Sequence, residues 1–235
     1  MGINTTAQFV SYIANSVPLA TPLAQELVDV YTSYNICTLP PLTLGCAPAP
    51  ARSGALYRYT SAYAGDAVSL FPPSPAPSNK LTFSQTFLAN RRDQCAHWAA
   101  SNTSAYCYRF NAQPAGNTIY SGVPHFQEVA FVFDNENGVG YPPIALDPFQ
   151  GKPQNFFDLA KLMSRSWASF IHSGDPNAWM QGKYQSAPMW PVYSVDSPMN
   201  MVWDANVTGL AYPEPDTWRA EGIALINSFN LAYNR

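Results

Sequence analysis

The chain has 235 residues, a net charge of −3 and only 11% charged residues beside 47% hydrophobic ones. Globular domains usually carry roughly 25% charged residues, so this composition implies wide buried surfaces or a surface normally covered by something else. Arg91-Arg92 is the single adjacent basic pair, which excludes a basic stripe for nucleic acid.

The predicted elements run as follows. Thr5 or Thr6 caps a short helix through Ala14. Thr21-Pro22 opens a second helix with Leu23, Leu27, Val30 and Tyr31 on one face, because proline at the start of a helix loses no hydrogen bond. Residues 35–52 are proline-rich and irregular, and a helix is predicted around Leu56–Tyr63. The stretch near 70–80 holds four prolines and reads as a surface insertion, since proline cannot sit inside a regular helix or central strand. Thr82 and Gln85 have capping-box spacing for a helix running to about Ser101, and Ala105–Phe110 reads as an aromatic-rich buried strand.

Asn155 is predicted to cap the strongest helix, where Phe156, Ala160, Met163, Trp167 and Phe170-Ile171 recur at helical spacing. Gly174 stands where a left-handed cap belongs, and Asp175-Pro176 stops propagation. Trp190–Tyr193 reads as an edge segment and Asn200–Trp203 as a short strand. A last helix is predicted from about Asp216 to Asn230, with Trp218, Ile223, Ile226 and Phe229 inward. No repeat occurs, and the alternation of helix and strand predicts an α/β layer architecture.

No run of about 18 apolar residues is present, so no transmembrane helix is predicted. The N-terminus lacks the basic and long apolar regions of a signal peptide. Other features nevertheless suit an extracellular protein. Asn-x-Ser/Thr sequons occur at Asn4, Asn102 and Asn206, each a candidate glycosylation site. The four cysteines admit three full pairings. Local pairing, Cys37 with Cys46 and Cys95 with Cys107, closes two short loops; buried free thiols are the competing reading. No Cys-x-x-Cys occurs and the histidines His97, His125 and His172 are dispersed, so neither a zinc nor a redox site is expected.

The candidate for chemistry is His125, in Gly122-Val-Pro-His-Phe-Gln-Glu128 ahead of Phe131-Val132-Phe133. Local chemistry alone favours a structural histidine, and Glu128 a solvated side chain. His97 and His172 read as structural, His172 at a helix end where positive charge is favourable.

A set of segments in order changes that balance. These are Tyr57–Asp66, Phe87–Trp98 with its Asn90-Arg-Arg-Asp-Gln-Cys95 core, Tyr106–Asn111, the Gly-Val-x-His-x-x-Glu loop, Ser166–Phe170 through Gly174-Asp-Pro-Asn177, and Trp190–Tyr193. Together they resemble the C-terminal part of the type-B carboxylesterases, the cholinesterase/lipase family, particularly its secreted fungal members. The resemblance implies a single incomplete domain over 1–235. It would be the later part of an α/β-hydrolase with a mostly parallel sheet flanked by helices and a proline-rich insertion near 70–80. It also implies a Ser-His-Glu triad with His125 as the histidine. One departure stands out: Phe126 occupies a position that is often glycine in the family.

The family's Gly-Glu-Ser-Ala-Gly nucleophile turn, Gly-Gly oxyanion loop and Asp-Glu-Gly acid segment are absent from these 235 residues. None of Glu26, Glu128, Glu136, Glu214 and Glu221 matches the acid's position. The expectation is therefore a carboxylic ester hydrolase lineage, represented by a chain that supplies the histidine, lacks the nucleophile and is inactive alone. The missing N-terminal half is its expected partner. The substrate would be a carboxylic ester or lipid, no cofactor or metal is implied, and the full-length parent would be secreted. A non-catalytic esterase-like binding protein and a degenerate fragment are the alternatives.

Overall fold

Thr5 and Gln8 begin the first helix by capping each other. The Gln8 amide N–H donates to Thr5 Oγ1 at 3.2 Å, and the Thr5 N–H donates back to Gln8 Oε1 at 3.1 Å. This reciprocal pairing satisfies donors that a helix start otherwise leaves open, and α1 spans Thr6–Ser16. The structure, a computed structural model, describes residues 3–16, 19–40, 42, 46, 54–67, 88–119, 122–123, 125–141, 147–180 and 187–229. The proline-rich stretch near 70–80 and the expected Thr82/Gln85 cap lie outside the described residues.

Further helices are α2 (Thr21–Ser33), α3 (Gly54–Asp66), α4 (Leu88–Ala100), α5 (Val129–Val132), α6 (Gln154–Ser173) and α7 (Ala220–Ser228). Strands β1 (Cys107–Phe110), β2 (Met199–Trp203) and β3 (Ala211–Pro215) form one sheet in that order. β1 pairs with β2 in parallel, Cys107 opposite Asn200, and β3 adds an antiparallel edge, Ala211 opposite Trp203. The described residues are thus α/β, with the expected parallel pair and an antiparallel strand beside it.

The chain divides into two compact units. Met1–Asp93, Ile119–Gly122 and Arg219–Arg235 make the first; Gln94–Thr118 and Val123–Trp218 make the second. The first unit is helical. Phe9, Ile13, Leu27, Val28, Tyr31, Tyr63, Ile223 and Ile226 are buried in its core. The inward face of α2 is Ala24, Leu27, Val28 and Tyr31, so Val28 takes the place expected for Val30.

A buried ion pair lies inside this helical core. Arg219 grips Asp66 with two hydrogen bonds, Nε to Oδ2 at 2.7 Å and Nη2 to Oδ1 at 2.6 Å, and Tyr31 donates its hydroxyl to Oδ2 at 2.6 Å. Burial, and then the Asp66 charge, push the Tyr31 phenol well above its usual pKa. Arg219 holds φ +48°, a left-handed conformation that costs an L-residue roughly 1–2 kcal/mol; the two-point contact fixes it there. Two residues into α7, a Cβ on Gly222 would meet the Tyr31 ring at 2.8 Å, so only glycine lets α7 approach so closely.

The second unit packs around aromatic side chains. Trp167, Trp190 and Trp203 lie within 4.9–5.8 Å of one another, centroid to centroid, and Tyr108 stands edge-on to Trp167 at 5.0 Å. The Trp190 indole donates to Cys107 O at 2.9 Å, giving a buried tryptophan the partner it needs. Arg109 forks onto Glu214 across the sheet at 2.7 and 2.9 Å. Both local disulfides are formed, Cys37–Cys46 and Cys95–Cys107, the second tying α4 to β1.

Several sequence expectations need correction. α6 starts at Gln154 after Pro153, and Asn155 lies in its first turn, donating to Ala205 O instead of capping. Phe170 and Ile171 are 44% and 81% exposed, so the apolar face of α6 ends before them. Gly174 caps the helix at φ +75° as expected. Asp216–Trp218 precede α7 instead of opening it, and Ala211–Pro215 forms a strand despite two prolines. Proline lacks the N–H of a ladder and is tolerated on an edge, where β3 lies.

Replacing Arg219 with Met leaves Asp66 buried without its cation. Such a loss costs about 3–5 kcal/mol, and we expect the urea midpoint to fall accordingly, with the Asp66→Leu/Arg219→Met double variant recovering much of it. A loss under about 1 kcal/mol in the single variant would contradict a structural role for the pair.

Candidate active site

His125 belongs to the second unit. It lies on an exposed turn directly before α5. α5 is a single turn, and Phe131 pins it: that ring is fully buried and lies 4.9 Å from Phe110, 4.7 Å from Phe149 and 6.3 Å from Phe156. The histidine turn is thus the exposed end of a segment rooted in the aromatic core.

A relay of amides from the preceding segment 111–118 also holds the turn. Asn111 continues β1, its N–H donating to Trp203 O at 2.8 Å and its amide to Asp204 Oδ2 at 2.8 Å. Gln113 then donates to the carbonyls of Asn117 and Thr118 at 3.0 and 2.8 Å. Asn117 donates to Gln127 Oε1 at 3.1 Å, two residues beyond His125. Nothing in the sequence marks Gln113, Asn117 or Gln127, because their pairing depends on how the loop folds and no spacing rule predicts it.

Phe126 is the unusual backbone of the turn. Its φ is +76°, in a region that glycine enters freely and a bulky residue enters only under strain. The residue is 53% exposed, and its ring stands edge-on to the His125 imidazole, 6.3 Å between centroids. The chain therefore keeps a glycine-like turn after the histidine and bears the cost of a phenyl group there.

Glu128 is half-buried at the start of α5, its carbonyl accepting from the Phe131 and Val132 N–H groups. Its charge acts on Tyr108 and Tyr141. Burial first, and then Glu128, push the Tyr108 phenol up to about 12. The other candidates are not gathered here. His97 and His172 lie in the last turns of α4 and α6. Glu214 is committed to Arg109 and Glu136 to Lys161, the latter at 3.1 Å. Asn4, Asn102 and Asn206 are exposed. Among the described residues no group of three His, Cys, Asp or Glu side chains could hold a metal ion, and no helix is long and apolar enough to cross a membrane.

The Tyr108 shift gives a pH signature. A phenol with a raised folded pKa contributes stability that is intact below its unfolded value, near 10, and is lost as pH rises through about 12. We expect Tyr108→Phe to flatten the alkaline loss of stability, and Glu128→Gln to move the Tyr108 titration downward, read by phenolate absorbance. An unchanged titration in Glu128→Gln would show that the carboxylate does not reach the ring.

The turn, its aromatic anchor and its amide relay fall inside the part of the chain that comparison with known proteins recognises. The family model described as the carboxylesterase family matches residues 76–214. Chicken (Gallus gallus) acetylcholinesterase is 31% identical over 101 residues, which is 41% of this chain and 11% of that protein. The crystal structure of a carboxylesterase from Geobacillus stearothermophilus aligns at 23% identity and a TM-score of 0.43, covering 60% of this chain and 26% of that one. The chain therefore spans only a fraction of the length of the relatives it matches. The family match extends over more than half of its residues, from ahead of α4 into β3, and the chain belongs to the carboxylesterase family.

Proposed function

We propose that this chain supplies the histidine portion of a serine ester hydrolase, with His125 as the general base. The observation that supports it most is that the family match encloses an exposed histidine on a turn anchored by Phe131 and by the Asn117–Gln127 bond. On this reading, His125 takes the proton of an attacking serine hydroxyl and returns it to the departing alcohol. It then deprotonates the water that releases the acyl group. The base must lie within about 2.6–3.2 Å of the hydroxyl it serves, which an exposed turn permits.

The serine comes from outside these 235 residues, which contain no Gly-x-Ser-x-Gly. Oxyanion donors come with it, and their loss alone typically removes about a hundred- to a thousandfold in rate. The chain alone is therefore inactive, and the two units belong to one esterase domain completed by a nucleophile-bearing N-terminal portion. Large exposed apolar groups, Phe133 at 76% and Val139 at 77%, suit a surface that such a portion covers. The exposed sequons and the formed disulfides suit a secreted parent.

The test is p-nitrophenyl butyrate hydrolysis by the purified chain, alone and combined with the N-terminal portion. We expect turnover no faster than free imidazole alone, and activity with serine labelling by a fluorophosphonate on combination. His125→Ala should cost the combined enzyme at least about a thousandfold. Full activity in His125→Ala, or labelling of the chain alone, would overturn the assignment.

A further inference from the structure

The strained backbone at Phe126 calls for an explanation that packing does not provide. Its φ is +76° and the residue is 53% exposed, so it gains little from burial within this chain while its backbone is held where glycine would be at ease. Strain of this kind persists where surrounding structure over-determines it, and it clusters at functional sites. The over-determination is visible in the residues that follow: Gln127 is bonded to Asn117, and the Val129 N–H bonds back to the Phe126 carbonyl at 3.4 Å. The phenyl ring stands edge-on to the His125 imidazole, 6.3 Å between centroids.

Resting on the ester-hydrolase reading above, we propose that Phe126 is a specificity-determining residue that selects esters of apolar, preferably aromatic, alcohols. The geometry follows from the role of His125. To protonate a leaving group, an imidazole nitrogen must come within about 2.6–3.2 Å of its oxygen. The carbon attached to that oxygen then lies one bond further out, and an alcohol substituent of benzyl size extends from the imidazole toward the Phe126 ring beside it. There it meets the phenyl face or edge at the 4.5–7 Å centroid separation that aromatic pairs prefer, about what the two rings themselves keep. The acyl group lies on the nucleophile's side of the scissile bond and does not reach Phe126. The residue therefore discriminates among alcohols and leaves acyl preference alone.

The test compares kcat/KM for benzyl acetate and ethyl acetate in the combined enzyme. Both leaving groups are alkoxides, and any intrinsic difference cancels in the ratio between variants. We expect Phe126→Gly, which relieves the backbone strain and so folds, to lower the benzyl-to-ethyl preference about three- to tenfold. The pH dependence of kcat/KM should keep its wild-type midpoint. Phe126→Leu should fall between the two, and the preference between ethyl acetate and ethyl butyrate should stay at its wild-type value. A benzyl-to-ethyl ratio within about twofold of wild type, in a background where His125→Ala abolishes turnover, would overturn this inference alone. If His125→Ala leaves turnover intact, the hydrolase reading beneath it fails and takes the inference with it.

Discussion

The parallel pairing of β1 with β2 is the constraint on which the candidate site depends. Its register, Cys107 opposite Asn200 and Phe110 opposite Trp203, fixes four attachments at once. Cys107 is tied by its disulfide to α4 and by its carbonyl to the Trp190 indole. Arg109 reaches Glu214 on β3, and Phe110 packs on Phe131 of α5. One residue beyond the strand, Asn111 extends the pairing to Trp203 and Asp204, and the Gln113–Asn117–Gln127 relay starts from there. A slip of one residue would turn every β1 side chain to the other face. It would move Phe110 off Phe131 and unmoor the histidine turn. The site is exposed, but its position is set by a buried strand.

The first unit depends on a different device. Asp66 and Arg219 are 153 positions apart, and their contact closes the helical core by joining the end of α3 to the start of α7. Burying such a pair is weak evidence of net stabilisation against an apolar alternative, yet removing one partner is costly. Its clearest contribution is geometric. It holds Arg219 left-handed at the entry to α7 and brings Gly222 against the Tyr31 ring. The Tyr31 hydroxyl completes the carboxylate's shell, and Tyr34 receives the Gly222 N–H at 2.7 Å. Neither helix could keep this approach with a larger residue at 222.

Much of this was legible in the sequence wherever the signal was local. The threonine cap of α1, the proline-led start of α2, the Gly174 stop and the two short-loop disulfides follow from nearby residue types. The existence of α6 follows from helical periodicity and that of β1 from its run of aromatic residues. What was not legible is non-local. Asp66–Arg219 and Arg109–Glu214 join residues more than a hundred positions apart, and no spacing announces them. β3 was hidden by Pro213 and Pro215, because local propensity argues against a strand that only an edge position tolerates. Asn155 looked like a cap by type, but the Ala205 carbonyl in the turn after β2 claimed its amide. At the site, His125 and its departure Phe126 were readable from the family resemblance. The positive φ that gives Phe126 its significance, and the amide relay beneath it, required the folded chain.

Chemical rescue tests the central claim most directly. If His125 is the general base, the combined enzyme carrying His125→Gly should be nearly silent toward p-nitrophenyl butyrate. Added imidazole should then restore turnover saturably, with a pH dependence following the imidazole free base, and His97→Gly and His172→Gly should keep wild-type activity. Rescue no greater in His125→Gly than in an enzyme lacking the nucleophile, or a silent His97→Gly, would contradict the account.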